Sequence, residues 1–133
     1  MYRVLIVEDN AIFRGLLKEA LGSHFPWAEV LEAPNAEIAL RKIAAAPPDL
    51  IFMDIGMPGQ SGLELARTVR STHPSIAVVF LTACDLPEYR EAAESLEVVQ
   101  FLSKGTARMD QIVRLVGSLL PEHRANVCRD DIA

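Results

Sequence analysis

Leu50-Ile51-Phe52-Met53-Asp54-Ile55-Gly56-Met57-Pro58-Gly59 decides the fold. An unbroken apolar run, 50–53, reads as a strand buried on both faces, as in a parallel sheet covered by helices on each side. Asp54 closes that run, and Gly56, Pro58 and Gly59 turn the chain. A carboxylate directly after a buried strand stands at the C-terminal edge of a sheet, where open α/β sheets bind ligands and carry out chemistry. The same order recurs elsewhere: Val4-Leu5-Ile6-Val7 runs into Glu8-Asp9, and Ala77-Val78-Val79-Phe80-Leu81 runs into Thr82. Polar groups following three strands in so short a chain point to one assembled site.

Working outward, apolar runs alternate with helical patterns. The expected strands are 4–7, 29–33 (the weakest), 50–53, 77–81 and 98–102. After Asn10, the residues Phe13, Leu16, Leu17, Ala20 and Leu21 recur as an apolar stripe and predict a helix to about Ser23. Asn35 caps a second helix with Ala36, Ala39, Leu40 and Ile43 as its stripe, and Pro47-Pro48 stops it. Ser61 and Glu64 have capping-box spacing ahead of Leu65, Ala66 and Val69, in a third helix ended by His73-Pro74. Residues 86–96, with Pro87 in the first turn, form a fourth helix, the least apolar and so the most exposed. A fifth spans about 107–120, with Met109, Ile112, Val113, Val116 and Leu119 inward. Residues 1–120 thus read as one domain, and the polar stretch 121–133 as a tail or the start of a linker. Five β/α units predict a right-handed, doubly wound parallel sheet with helices on both faces. The common topologies for that count include the flavodoxin-like strand order 2-1-3-4-5, which would place Glu8-Asp9 directly beside Asp54.

The 133 residues, 50% hydrophobic and 23% charged, suffice for one globular core without disulfide or metal staples. A formal net charge of -5 disfavours nucleic acid as a partner, because binding phosphates needs a positive footprint. Cys84 and Cys128 have neither a disulfide framework nor a metal-binding spacing. The N-terminus lacks a signal-peptide pattern, and no apolar run approaches the roughly 20 residues of a membrane span. The expectation is a soluble cytoplasmic protein with no membrane partner.

Carboxylates crowded at one sheet edge repel one another unless a cation neutralises them. Mg²⁺ suits a few carboxylates with carbonyl oxygens and retained waters, and it recruits phosphate oxygens. Asp54, Asp9, Glu8 and the backbone at Gly56 match that donor set, and the absence of His and Cys there disfavours zinc. Lys104, after the last strand, supplies a point positive charge for phosphate oxygens, and Thr82 a hydroxyl. An aspartate nucleophile can form an aspartyl-phosphate, a step that needs mainly in-line positioning and charge neutralisation. Taken singly, each residue reads more simply. Glu8-Asp9 would complement a helix N-terminus, Asp54 and Thr82 would be turn and cap groups, and Lys104 a solvated surface cation. Their shared position after parallel strands sets these simpler readings aside, because such a sheet sends all those ends to one edge.

These segments carry a resemblance. Val4-Leu5-Ile6-Val7-Glu8-Asp9-Asn10, Asp49-Leu50-Ile51-Phe52-Met53-Asp54-Ile55-Gly56-Met57-Pro58-Gly59-Gln60-Ser61-Gly62, Leu81-Thr82-Ala83 and Phe101-Leu102-Ser103-Lys104 closely resemble the receiver domain of bacterial two-component response regulators. The resemblance runs from Val4 to about Leu120. It implies that Asp54 is phosphorylated by a histidine kinase or phosphotransfer protein, and that the domain catalyses only its own phosphorylation and dephosphorylation. It further implies Mg²⁺ on Asp9, Asp54 and the Gly56 carbonyl, with Glu8 assisting through water. Lys104 would pair with the phosphoryl group, Thr82 would swing to bond it, and Phe101 would follow inward as an aromatic switch. The face made by helix 4, strand 5 and helix 5 would then change its contacts with a downstream protein or a DNA-binding output domain, or form a phosphorylation-dependent homodimer.

The chain departs from the family pattern in two places. Lys104-Gly105 stands where Lys-Pro is frequent, and resembles the subgroup attached to helix-turn-helix outputs. Glu97-Val98-Val99-Gln100 replaces a frequent Gly-Ala before Phe101 and unsettles the expected geometry around strand 5. Phe101 also reads simply as core packing, and it lacks the hydroxyl of a Tyr switch. Gly56 and Cys84, following Asp54 and Thr82, flank the path of hydrolytic water. The rival reading is a phosphate-independent interaction module acting by dimerisation or docking. An aspartate-based phosphatase would need a second Asp where Gly56 stands, and a mononucleotide flavoprotein would need a Gly-rich loop after strand 1.

Overall fold

The computed structural model describes residues 2–119 apart from Pro58, Gln60 and Cys84. Leu120, the stretch 121–133 and both cysteines therefore lie outside the described residues. The elements alternate as β1 (Arg3–Val7), α1 (Ala11–His24), β2 (Glu29–Ala33), α2 (Ala36–Ala45), β3 (Leu50–Met53), α3 (Gly62–Thr72), β4 (Ala77–Thr82), α4 (Pro87–Ser95), β5 (Gln100–Ser103) and α5 (Met109–Leu119). The strands pair in parallel, as the alternation predicts, and in the flavodoxin-like order β2-β1-β3-β4-β5. Val7 is in register with Met53, and Met53 with Phe80, so β1 and β3 end level with one another while β4 runs two residues further, to Thr82.

Side-chain alternation along each strand divides the core into two clusters, one per face of the sheet. Leu5, Val7, Ile51, Met53, Val78 and Phe80 pack under α2, α3 and α4. Val4, Ile6, Leu50, Phe52, Val79 and Leu81 pack under α1 and α5. Three helices begin on capping side chains that the sequence marks out. Asn10 Oδ1 accepts from the Ile12 and Phe13 N–H groups, both at 3.0 Å. Asn35 Oδ1 accepts from Ile38 N–H at 2.9 Å, and Ser61 Oγ from Glu64 N–H at 3.3 Å. Leu86, which has no capping side chain, precedes α4, and Ala93 is that helix's sole buried residue.

Several expectations need correction. Burial on both faces holds for β1, β3 and β4 but not for β2 and β5, because an edge strand has a neighbour on one side only. Strand 5 starts at Gln100 instead of Val98, because the chain turns sharply at Glu97, whose φ is 57°. Leu16 does not join the inward stripe of α1: it is 54% exposed, beside Ile12 at 78%, while Leu17 and Leu21 face the core. The fifth helix begins at Met109, since Ala107 N–H is still engaged in a turn with Ser103 O at 2.8 Å.

Glu97 supplies a direct test of local strain. A left-handed conformation is costly for any residue with a Cβ, by about 1–2 kcal/mol. The side chain's ion pair with Arg70, at 3.6 Å and with Glu97 largely exposed, offsets little of that. Glu97→Gly should therefore raise the unfolding midpoint by about 2–4 °C, even after the added freedom of glycine in the unfolded chain. Calorimetry that finds a lowered midpoint would show that the turn is unstrained.

Candidate functional site

Glu8, Asp54 and Lys104 are held at the C-terminal edge by main-chain bonds of the sheet. Glu8 N–H donates to Ala33 O at 3.0 Å, Asp54 N–H to Val7 O at 3.1 Å, and Lys104 N–H to Thr82 O at 2.9 Å. The strand register thereby brings Glu8, Asp9 and Asp54 together, with one carboxylate oxygen of each lying within 4.8 Å of the others. Lys104 Nζ forms ion pairs with Glu8 Oε1 and, at 3.5 Å, with Asp54 Oδ2. Asp54 Oδ1 accepts from Gly56 N–H at 3.2 Å, and Glu8 Oε2 from Asn10 N–H at 3.0 Å.

Burial separates these carboxylates in character. Glu8 is 3% and Asp54 7% exposed, whereas Asp9 is exposed at the rim. Burial pushes the Glu8 carboxyl above its ordinary pKa, and the charge on Asp54 adds to that, against the pull of Lys104 and the Asn10 N–H. Two buried carboxylates share one ammonium, and a third carboxylate stands at the rim beside them, which leaves an excess of negative charge for a cation to neutralise. An all-oxygen donor set of this kind suits Mg²⁺.

Thr82 is fully buried at the last position of β4. Phe101 does not belong to the acidic cluster. It lies half-buried in β5, edge-on to Phe80 with ring centroids 6.2 Å apart. The Arg90 guanidinium carbon stands 4.6 Å from the Phe101 ring centroid, while the guanidinium forks onto Asp85 at 2.6 and 3.0 Å. These hydrogen bonds from Arg90 hold the Asp85 carboxyl below its ordinary pKa. Arg90, Phe101, Ser103, Thr106, Gln111 and Arg114 line part of a groove of about 610 Å³ between α4, β5 and α5.

Three contributors escape a reading of the sequence alone. Asn10 looks like a helix cap and nothing more, yet its N–H also fixes Glu8. Arg14, paired with Glu32 at 3.2 Å, donates from Nη1 to the Glu8 carbonyl at 2.7 Å. Phe13 reads as an ordinary member of the α1 stripe, but the Lys104 ammonium stands 4.6 Å from its ring centroid. For Arg14, the only available signal is its place one helical turn beyond Asn10.

A doubly wound sheet with this acidic edge defines a class, and residues 4–116 match the response regulator receiver domain, the family to which the chain belongs. It is thus a receiver domain of two-component signalling. Among curated proteins, response regulator GacA of Pseudomonas viridiflava is 33% identical over 118 residues, covering 87% of this chain and 55% of that protein. A protein-glutamate methylesterase/protein-glutamine glutaminase of Trichodesmium erythraeum is 40% identical over 83 residues, covering 62% of this chain and 23% of that protein. The chain thus spans about half or less of the length of these relatives. Among solved structures, response regulator protein TrrA of Thermotoga maritima, in complex with Mg²⁺-BeF, is 35% identical with a TM-score of 0.78. That match covers 90% of this chain and 100% of that one. No helix among the described residues is long and apolar enough to cross a membrane.

Proposed function

We propose that Asp54 accepts a phosphoryl group from a phosphohistidine on a histidine kinase or phosphotransfer protein. The observation that carries this reading is the convergence of Glu8, Asp9 and Asp54 within 4.8 Å, with Lys104 bridging Glu8 and Asp54. An Asp54 oxygen attacks phosphorus; an O–P bond forms while the histidine N–P bond breaks, and the imidazole leaves with its electron pair. Gly56 N–H and Lys104 orient the carboxylate beforehand, so the nucleophile needs little reorganisation. Lys104 then moves its charge onto a phosphoryl oxygen, and the Thr82 hydroxyl bonds another. Glu8, Asp9, Asp54 and the Gly56 carbonyl would hold Mg²⁺, which supplies charge neutralisation for the transferring group.

The response passes from Thr82 at the end of β4 to Phe101, which already touches Phe80. Phe101 turns inward, and the α4–β5–α5 face changes its contacts with its protein partner, whether an attached output domain or a separate target, in the cytoplasm. Beyond its own phosphorylation and dephosphorylation the domain performs no catalysis.

The test is incubation of the chain with acetyl phosphate and Mg²⁺, followed by intact mass measurement. We expect one phosphoryl adduct in the wild type, none after chelation of the metal, and none in Asp54→Ala. A wild type that stays unmodified, with partner binding indifferent to Asp54→Ala, would establish the phosphate-independent module instead. Lys104→Met sharpens the assignment. It leaves Glu8 and Asp54 buried without their cation, so stability in metal-free buffer should fall by about 2–4 kcal/mol. Mg²⁺ should restore much of that loss, while phosphate uptake stays about 10²–10³-fold slower. Denaturant melts with and without metal, run beside the uptake assay, separate the two effects; uptake at the wild-type rate would remove Lys104 from the mechanism.

A further inference from the structure

We propose that Phe13 is a positioning residue for Lys104: its ring bears the ammonium while that ammonium exchanges Glu8 and Asp54 for an incoming phosphoryl oxygen. The proposal rests on the phosphoacceptor reading of Asp54. Lys104 Nζ stands 4.6 Å from the Phe13 ring centroid, inside the range at which an aromatic face attracts a cation. The Lys104 side chain is only 17% exposed, so little water competes for that contact.

The other groups facing the ammonium are carboxylates, Glu8 on β1's edge and Asp54 on β3's. They differ from the ring in one respect that matters. A carboxylate competes with an arriving anion for the same charge, whereas a ring carries no formal charge and uses none of the three N–H donors. The ring can therefore remain beneath Lys104 while its hydrogen bonds are redistributed. It also covers one side of the ammonium against water, and keeps the remaining donors directed across the sheet edge.

The placement of Phe13 is coupled to the site. Its N–H is held by Asn10 Oδ1 at 3.0 Å, and the Asn10 N–H in turn holds Glu8 Oε2 at 3.0 Å. One cap thus sets both the carboxylate and the ring that share Lys104. Phe13 also packs against the α1/α5 cluster, so its ring has a fixed floor. A Leu at this position fills the same apolar space without the attractive face, and a Tyr keeps the face.

The experiment uses the full chain as wild type, Phe13→Leu and Phe13→Tyr. By NMR, the Lys104 ε-methylene protons, assigned by their loss in Lys104→Met, should be shifted upfield by the ring in wild type and Phe13→Tyr. They should return to ordinary positions in Phe13→Leu. Phosphate uptake from acetyl phosphate at saturating Mg²⁺ should slow about 5- to 10-fold in Phe13→Leu and recover to within about twofold in Phe13→Tyr. Mg²⁺ affinity by calorimetry should be alike in all three, which a general loosening of the edge would not allow. Unshifted Lys104 protons in the wild type overturn the proposal. So does uptake in Phe13→Leu at the wild-type rate, or a slowing matched by an equal loss of Mg²⁺ affinity. A wild type that takes up no phosphate overturns the phosphoacceptor reading and this one together, whereas a labelled wild type with an indifferent Phe13→Leu overturns only the role of the ring.

Discussion

Asp54→Ala should take up no phosphate from acetyl phosphate at any Mg²⁺ concentration, and should nonetheless remain folded. The Asp54 main chain keeps its bond to Val7 O, since an alanine N–H donates equally well. What the variant loses is one of two buried carboxylates that repel each other. With Asp54 gone, Glu8 keeps Lys104 to itself; burial, the largest cause, still holds its pKa up, but the smaller upward push from the Asp54 charge is removed. The linkage follows from that sign. A carboxyl whose pKa is raised by folding opposes folding once pH exceeds its unfolded pKa, so relief of the shift stabilises the variant at neutral pH. The melting midpoint in metal-free buffer should therefore equal or exceed that of the wild type. Intact mass and calorimetry on the same samples decide the matter. An adduct that persists in Asp54→Ala would place the phosphate elsewhere, and a collapsed midpoint would make the missing adduct a consequence of unfolding.

Gly62→Ala should cost more stability than alanine at Gly15, Gly22, Gly105 or Gly117. A Cβ at Gly62 would stand 2.2 Å from Asp54 O, 2.9 Å from Asp54 C and 2.9 Å from Ile55 Cα. All three are main-chain atoms, so no flexible side chain can swing clear. Gly62 N–H also donates to Ile55 O at 3.2 Å, which ties the first turn of α3 to the turn after β3. The methyl must push helix and turn apart, and overpacking of this kind destabilises by about 3 kcal/mol. The displacement falls on the peptide of Asp54, so phosphate uptake should drop even at temperatures where the variant is folded. Gly15→Ala and Gly22→Ala in α1 are the controls: a Cβ there meets nothing within 4 Å, and stability should rise by about 0.5–1 kcal/mol in each. A urea midpoint for Gly62→Ala equal to that of the wild type would mean that the close approach is not real.

What the sequence discloses and what it conceals follow from the range of the forces involved. Strands β1, β3 and β4 are legible because burial on both faces demands uninterrupted apolar runs, and the polar residue after each run marks the sheet edge. The alternation of elements limits the fold to a few doubly wound strand orders, and the one observed brings Glu8, Asp9 and Asp54 together. The edge strand β5 was harder, because its apolar signal is diluted by an open flank, and Glu97 turns the chain where no Gly announces a turn. Leu16 misled because spacing alone does not orient a helix, and a leucine one position from Leu17 points well away from the core. The partnership of Phe13 with Lys104 was invisible for another reason. It joins residues from opposite ends of the chain, and neither residue type signals the other.

The main-chain bonds from Glu8, Asp54 and Lys104 into neighbouring strands have a practical consequence. They make the sheet a jig: the spacing of the main-chain positions that carry the reactive groups is set by backbone repeat distances. The outer faces of α1, α4 and α5 are then free to be rewritten for a new partner without retuning the chemistry at the edge. An engineer could graft recognition surfaces onto this chain as interchangeable parts. The residues to leave untouched would be the few that follow the strands, the Gly62 contact that seats Asp54, the Asn10 cap, and Phe13 and Arg14 at the start of α1.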